Sequence, residues 1–326
     1  LYYGNPNPTS GQDPGFRQYP IFNFAYTQKT YTPDGRFIVP DNINVIGEQI
    51  CNLDFASSTI TGTQSYQNSL EVSVSVNGGY GPASFSASAD YKSVQSGTSS
   101  QSNIYISNQG VCSVYNTNIN PASYPTVDPT FLKEVQALPA TYTSATKTAY
   151  MSFLQKHGTH YFAQMRMGAK YGYLSQLSQT AWSTMNVQGI TVSAAASYSA
   201  MASVGVTAMT SSQKEQAATF DSMKSNVKQI TIGSAPPADG NILTWANNCY
   251  GNPMPISYTL ESIASLFVAG LFPSQKNIAA LQTNIQTALK EYCAYLVSIK
   301  AISSCANPPT DPALPVVPNA CRLCAG

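Results

Sequence analysis

Charged side chains are scarce in this sequence. Only 10% of the 326 residues are charged, and 16 basic and 15 acidic side chains leave a formal net charge of +1. No basic run exists that could follow a phosphate backbone, which argues against a nucleic-acid partner. Few charges together with 21 tyrosines favour an extracellular protein. Because the sequence begins at Leu1 without a charged-then-apolar leader, we expect a processed, secreted chain.

Long apolar runs are also missing. A membrane-spanning helix needs about 20 apolar residues. The nearest candidate, residues 192–209, is interrupted by four serines and one threonine. The sequence therefore does not favour a constitutive transmembrane helix.

Histidine is rarer still, because His157 and His160 are the only two. Zinc requires three or four ligands, and the closest upstream carboxylate is that of Glu134. No nucleophile or oxyanion loop accompanies His160, so a catalytic base is not indicated. We therefore expect no enzyme activity, no metal and no cofactor. We interpret His160 as buried and hydrogen-bonded, and His157 as exposed.

Cysteine is present in an odd number, and most of the seven residues lie toward the C-terminus. One C-x-x-C pair, Cys321 and Cys324, has no second pair and no thioredoxin-like context, so disulfides are favoured over zinc or redox chemistry. One thiol must remain free or pair between chains. The sequence leaves open the pairing of Cys249, Cys293, Cys305, Cys321 and Cys324.

Two segments alternate apolar and small polar residues, as a two-faced β-strand does. The first, residues 70–91, has turn residues at 77–82 and is predicted to be a hairpin. The second, residues 190–208, is rich in alanine, which also favours helix, so it is compatible with either state. For the first segment alone, an ordinary hairpin of a soluble β-sandwich is the simpler interpretation.

Taken together, the two segments are typical of strands that enter a membrane. Residues 182–213 carry no charge, and a charge on the lipid face of a β-barrel costs roughly 2–4 kcal/mol at the midplane. We therefore interpret both segments as membrane-inserting. The predicted lipid-facing residues are Leu70, Val72, Val74, Val76, Phe85, Ala87, Ala89, Val192, Ala194, Ala196, Tyr198, Ala200, Ala202, Val204 and Val206.

A motif between the two segments resembles the signature of the membrane attack complex/perforin (MACPF) family. The signature is an aromatic residue, Gly-Thr/Ser-His-aromatic, six residues and a Gly-Gly pair. This chain has Gly158, Thr159, His160 and Tyr161, then six residues, then Gly168 and Ala169. His157 replaces the leading aromatic residue, and Ala169 replaces the second glycine. The resemblance extends over about residues 22–297.

The resemblance implies an α+β fold with a bent four-stranded antiparallel sheet. Helical clusters flank the sheet and can refold into two transmembrane β-hairpins, here at about residues 57–109 and 177–232. We expect an N-terminal arm (1–40), a MACPF domain (41–300) and a Pro- and Cys-rich tail (301–326). Helices are predicted at 145–156 and within 274–300, the latter from apolar residues at helical spacing.

The same resemblance assigns roles to individual residues. Gly168 and Ala169 mark a hinge, and Gly168→Val is expected to bind membranes without opening pores. Cys51 and Cys112 bracket the first inserting segment and are predicted to form a disulfide.

The implied function is that of a secreted protein that assembles on a membrane and forms a large β-barrel pore. Hydrocarbon cannot satisfy exposed backbone groups, so only a closed barrel built from many copies would be stable. The expected partners are a lipid membrane and further copies of the chain. A partner protein for membrane targeting is a further candidate. A non-lytic MACPF-like adhesion or surface protein is the main alternative, and a carbohydrate-binding module is a weaker one.

Overall fold

The computed structural model describes residues 19–62, 65–66, 69, 72–74, 89–120, 122–235, 242–299 and 305. The strands are β1 (Phe22–Asn23), β2 (Ile43–Asn52), β3 (Ser57–Ile60), β4 (Val72–Val74), β5 (Ile104–Ile119), β6 (Thr126–Val127), β7 (His160–Leu177), β8 (Ser225–Ile232) and β9 (Met254–Ser262). The helices are α1 (Ala89–Ser100), α2 (Pro129–Gln136), α3 (Lys147–His157), α4 (Gln179–Val187), α5 (Val192–Ser203), α6 (Ser211–Met223), α7 (Ile242–Asn248) and α8 (Ile278–Ser298). Short 3₁₀ turns follow α7 and β9, at Cys249–Gly251 and Ile263–Leu266.

The central sheet has the antiparallel arrangement that the sequence analysis expected. The long strands β5 and β7 lie side by side at its centre. Strands β2 and β3 pair successively with β5, while β9 and β8 pair with successive halves of β7. The core is therefore four strands wide, and together with the helices it confirms the α+β class. Strand β4 adds a parallel pairing to β9, and β1 pairs with β6 in a small separate sheet.

Three irregularities in pairing align at one level of this sheet, and further shifts lie between Phe162 and Gln164 and between Leu174 and Gln176. The β2–β5 register shifts between Gly47 and Ile50, and the β5–β7 register shifts between Ser113 and Tyr115. The β7–β9 register shifts between Arg166 and Met167. Because a bulge bends its strand and increases the local twist, these aligned shifts place the bend of the sheet near residue 167.

A C-terminal core, formed by α2, α3 and α8, packs against one end of the sheet. Asp128 caps α2 by accepting hydrogen bonds from the backbone N–H groups of Thr130 and Phe131. The predicted helix at 145–156 is present as Lys147–His157. Helix α8 also forms as predicted and buries residues at helical spacing, whereas Ile299 just beyond it is 53% exposed.

The two predicted inserting segments connect neighbouring strands of the sheet. The segment between β7 and β8 folds as three helices, α4–α6, which agrees with the helical cluster that the family resemblance implied. In the segment between β3 and β5, Val72 and Val74 lie in β4, and Ala89 is the first residue of α1. The folded chain therefore does not adopt the hairpin predicted for residues 70–91 at these positions, and helix α1 agrees with the helical cluster implied for residues 57–109. Strand β4 pairs with β9 instead of a hairpin neighbour, and helix replaces strand from Ala89. Leu70, Val76, Phe85 and Ala87 lie outside the described residues.

The structure contains two disulfides among the described cysteines. Cys51 and Cys112, the predicted pair, join directly opposed residues of β2 and β5. Cys293 in α8 is bonded to Cys305, and Cys249 is a buried free thiol. Within the described part of the chain, every helix is too short or too polar to cross a bilayer.

Candidate functional site

The signature residues connect helix α3 to the bend in β7. Gly158 ends α3, and β7 begins two residues later at His160. The backbone C=O of Thr159 accepts a hydrogen bond from Ile263 N–H, which joins this corner to the end of β9. The buried hydroxyl of Tyr161 donates to Glu261 Oε2 at 2.9 Å. The signature therefore anchors the start of β7 to β9.

Gly168 lies where β7 exchanges one partner strand for another. It pairs with Met254 of β9, whereas Lys170, two residues later, pairs with Ile232 of β8. A Cβ atom on Gly168 would lie 1.9 Å from the carbonyl oxygen of Cys112 on β5. Glycine is required here because the backbones of β5 and β7 approach too closely for any side chain.

This geometry corrects the expectation for Gly168→Val. The clash is with backbone of the folded monomer, so the substitution acts on folding before any later opening step. A hinge that needs backbone freedom requires glycine, and so does a strand whose backbone closely approaches its neighbour. The sequence alone does not distinguish these two reasons.

Gly233 is a member of the bend that sequence reasoning missed. It follows β8 with φ +76°, and a Cβ atom there would lie 2.5 Å from the carbonyl oxygen of Gly168. Ala169 is fully buried beside it. The signal was present in the sequence as the Gly-Ser-Ala-Pro-Pro run that begins at residue 233. Its contact with Gly168 depends on tertiary structure.

A charged network crosses three strands at the same level. Glu48, which lies in the irregular stretch of β2, accepts hydrogen bonds from Arg166 Nε at 2.9 Å and Nη2 at 3.2 Å. It also accepts one from Ser113 Oγ on β5 at 2.8 Å. A two-point carboxylate–guanidinium contact fixes geometry as well as adding energy. The network holds β2, β5 and β7 together at the bend, and sequence reasoning did not single out any of its members.

Helix α5 carries most of the residues predicted to face lipid in the second segment. In the folded chain this helix buries Val192, Ala195, Ala196, Ser199 and Ala200, a set with the period of a helix. The strand alternation would select a different set. Ala195 and Ser199 belong to the buried helical set but not to the predicted lipid-facing set.

The remaining predicted residues divide differently in the helix. Val204, just after α5, is buried, whereas Ala194, Tyr198 and Val206 are half-buried and Ala202 is exposed. The residues that are buried in the monomer and the residues of the proposed membrane face are therefore only partly the same. One sequence satisfies a helical period and a strand period at the same time.

Few polar contacts hold α5 in place. The hydroxyl of Ser57 on β3 donates to the Ser193 carbonyl oxygen at 2.7 Å. Ser199 Oγ donates to Asp221 Oδ1 of α6 at 2.5 Å. The Lys224 ammonium donates to both Ser199 Oγ and Asp221 Oδ1. At the C-terminal end of α5, Ser203 Oγ donates to Tyr173 Oη of β7 at 3.1 Å. These contacts therefore join α5 to the sheet at both ends and to α6 between them.

The roles expected for the two histidines are reversed in the structure. His157 is buried on the inner face of α3, where Phe131 and Phe153 surround its ring, and its Nε2 donates to Glu134 Oε2 at 2.6 Å. Burial lowers the pKa of His157, and the hydrogen bond to Glu134 opposes that effect. His160 is only half-buried, and its Nδ1 lies 2.8 Å from Thr159 Oγ1.

The sequence did contain a signal for the burial of His157. The inner face of α3 is formed by Tyr150, Phe153, Leu154 and His157, which follow helical spacing. The position that usually holds an aromatic residue in the family signature thus keeps an aromatic environment here.

The chain is similar in sequence to known proteins of one family. The family model of the MAC/Perforin domain matches residues 2–297 of the chain. The 67 kDa subunits of perivitellin-2 from Pomacea canaliculata and Pomacea maculata are each 23% identical to the chain over 256 residues. That alignment covers 78% of this chain and 45% of each relative, so the chain spans less than half the length of these relatives.

One solved structure has a clearly similar fold. GNIP1Aa from Chromobacterium piscinae superposes with a TM-score of 0.62 at 16% sequence identity. The match covers 92% of this chain and 57% of GNIP1Aa. At this level of identity the similarity concerns the fold alone.

Proposed function

The chain belongs to the MAC/Perforin domain family, and on that premise we propose that it is a secreted pore-forming protein. It assembles with further copies of itself on a membrane. There the segments after β3 and after β7 become β-hairpins of a shared barrel. Its partners are a lipid membrane and other copies of this chain, with a separate targeting protein as a further candidate.

The observation that carries this proposal is the double periodicity of residues 190–208. Helix α5 buries small residues at helical spacing, while every second residue of the same stretch is apolar. A helix that never unfolds needs only the first pattern. The second pattern, in a stretch without charge, matches a strand with one lipid-facing and one water-facing side.

The packing of α5 is consistent with release from the sheet. Burying an alanine methyl group contributes only about 0.8 kcal/mol, against about 1.5–3 kcal/mol for a leucine or phenylalanine side chain. The hydrogen bonds that dock α5 each contribute about 1 kcal/mol net. An extended strand on a neighbouring subunit could replace such modest contacts.

Assembly follows from the requirements of the backbone. An isolated hairpin in hydrocarbon would leave N–H and C=O groups unpaired at several kcal/mol each, so only closed barrels are stable there. Strand β2 lies at one end of the described sheet order and presents a free edge. Edge-to-edge pairing of several chains would close such a barrel.

The test compares two neighbouring substitutions in α5. Ala202 and Ser203 are both exposed in the folded chain but have opposite parity in a strand. Ala202→Lys places a charge on the proposed lipid face, whereas Ser203→Lys places the same charge on the wet face at the same depth. We expect Ala202→Lys to reduce dye release from liposomes by at least about tenfold, and Ser203→Lys to remain near the wild-type rate.

Unfolding curves of both variants serve as the control. Ala202→Lys should match the wild-type monomer, whereas Ser203→Lys loses the hydrogen bond from Ser203 Oγ to Tyr173 Oη and should cost no more than about 1 kcal/mol. Equal loss of dye release in the two variants would argue against a β-strand. Absence of release by the wild-type chain on vesicles to which it binds would favour the non-lytic surface protein instead.

A further inference from the structure

Three cysteine sulfurs meet above the bend of the sheet. The Sγ atoms of Cys51, Cys112 and Cys249 all lie within 4.8 Å of one another. Two of them form the β2–β5 disulfide, and the third is a thiol. Cys112 and Cys249 are buried, whereas Cys51 is exposed on the edge strand. A thiol beside a disulfide is the arrangement from which exchange proceeds.

The free thiol is held in place by elements remote from it in sequence. Cys249 opens the 3₁₀ turn after α7, and it packs in the same apolar cluster as Cys112, Ala169 and Trp245. The indole N–H of Trp245 donates to the carbonyl oxygen of Ser234 at 2.7 Å, which fixes α7 against the end of β8. The fold therefore brings together three sulfurs that lie far apart in the sequence.

We propose that Cys249 and the Cys51–Cys112 bond form a thiol–disulfide exchange site. The Cys249 thiol loses its proton to water or hydroxide, and its thiolate attacks Cys112 Sγ. The Cys112–Cys249 bond forms as the Cys51–Cys112 bond breaks. Cys51 leaves as a thiolate and takes a proton from water. One thiol and one disulfide are present before and after, so no external oxidant or reductant is needed.

Attack on Cys112 is favoured over attack on Cys51 by the environment of the leaving group. Cys51 is exposed, so its departing thiolate is solvated by water. Attack on Cys51 would instead release a thiolate at the buried Cys112. A leaving thiol with the lower pKa departs faster, and burial disfavours a charged thiolate.

Burial also restrains the reaction in the resting fold. The pKa of Cys249 is raised by burial, and the thiol form is not the nucleophile. Exchange is therefore expected to be slow while the turn at 249–251 remains packed, and faster when it opens.

The exchange would change which elements of the fold the disulfide joins. Cys112 lies opposite Ala169 in the β5–β7 register, beside Gly168. A Cys112–Cys249 bond would tie the turn at 249–251 across the bend and leave β2 attached to β5 by hydrogen bonds alone. It would also place a reactive Cys51 thiol on the free edge of the sheet. The exchange itself does not depend on the proposed pore function.

The experiment follows the two bonds in the intact, oxidised chain. The protein is incubated under native conditions from about pH 7 to pH 9, which spans the usual thiol pKa. It is then acid-quenched, alkylated and digested without reduction. Mass spectrometry measures the alkylated Cys51 peptide and the Cys112–Cys249 linked peptide. We expect both to accumulate in equal amounts, at an initial rate that rises about tenfold per pH unit below the pKa of the attacking thiol.

Two variants make the outcome decisive. Cys249→Ser removes the nucleophile and retains the original disulfide, so Cys51 should stay unlabelled at every pH. Cys51→Ser leaves Cys112 and Cys249 to pair, and it supplies the reference linked peptide. The proposal is overturned if wild-type Cys51 is labelled no faster than in Cys249→Ser, or if the linked peptide never appears in the wild-type digest.

Discussion

Helices α8 and α5 are both buried against the rest of the molecule, but with side chains of different size. Helix α8 buries Leu281, Ile285 and other large residues among the aromatic side chains of α2 and α3. Helix α5 buries three alanines, one serine and one valine. By the usual area relation, each large α8 side chain contributes about 1.5–3 kcal/mol, against about 0.8 kcal/mol for each alanine methyl of α5.

This difference agrees with the proposal that α5 detaches on assembly while α8 stays packed. The contacts of α8 are too costly to lose, which suits a helix that remains packed throughout. The contacts of α5 are small and can be exchanged for others. Four experiments test this comparison.

The largest effect is expected at the bend itself. Gly168→Ala places a Cβ atom against the Cys112 backbone, and a clash with backbone cannot be relieved by a rotamer change. We expect a loss of about 4 kcal/mol or more in the free energy of unfolding. Gly251→Ala is the matched control, because nothing lies within 4 Å of its Cβ position. Urea unfolding of both variants measures the difference, and similar midpoints would contradict close approach as the reason for Gly168.

The second effect concerns the two helices directly. Leu281 in α8 is fully buried, and Leu281→Ala should lower the free energy of unfolding by about 2–5 kcal/mol. Val192 in α5 is also buried, and Val192→Ala should cost only about 1–2 kcal/mol. Chemical denaturation provides both values. If Val192→Ala proved as costly as Leu281→Ala, α5 would not be a weakly held element.

A smaller effect separates the helical period from the strand period. Ser199 belongs to the water-facing set of the strand pattern, yet it is buried in α5 and contacts Asp221. Ser199→Asp would place a second carboxylate beside Asp221, where the Lys224 ammonium offsets part of the repulsion, and should cost about 1–2 kcal/mol. Ser197→Asp has the same strand parity at a half-buried position, so it should cost less. Thermal unfolding distinguishes the two, and equal stability would mean that α5 does not dock through this face.

The smallest effect is a pH dependence in the C-terminal core. Burial lowers the pKa of His157 below its ordinary value of 6.5, against the influence of Glu134. The unfolded chain therefore binds a proton at a higher pH than the folded chain does. Stability should be fully present above about pH 6.5 and should fall as the pH drops below that value.

His157→Phe tests this dependence by filling the aromatic pocket without a titrating group. We expect a flatter stability profile between about pH 6.5 and pH 5. The Glu134 pKa is raised by burial but lowered overall by hydrogen bonds from Lys156 and His157, so Glu134 titrates below its ordinary value of 4.5. The titration of Glu134 is therefore centred below the measured interval. An unchanged slope in the variant would exclude His157 as the titrating group.

Residue patterns within a single segment predicted its secondary structure correctly in some places and incorrectly in others. Helix α8 follows from apolar residues at helical spacing, and the bounds of both α3 and α8 agree with the prediction to within a few residues. The region around Ala89 was predicted as strand because of its alternation, but it folds as helix α1. A pattern that satisfies two periods does not reveal which one the monomer adopts.

Contacts between distant segments were harder to predict. Glu48 and Arg166 are separated by more than a hundred positions and meet only because β5 lies between their strands. The spacing of α3 signalled that His157 is buried, but its partners Phe131 and Glu134 come from α2, and the sequence alone did not place them there. In each case the chemistry of a residue was visible in the sequence, but its neighbours were not.

The sequence by itself determined the class of the fold, the position of the signature at Gly158–Tyr161, and the charge-free alternation of residues 190–208. The fold class came from the family resemblance that the signature carries, whereas local spacing and composition suffice for the signature and the alternation, since these are properties of the chain alone. Only the tertiary structure decided that α5 docks through Ala195 and Ser199, that Gly168 is required by the Cys112 backbone, and that Cys249 lies beside a disulfide. Those features depend on strand register and on packing between elements far apart in the chain, and no local pattern specifies either.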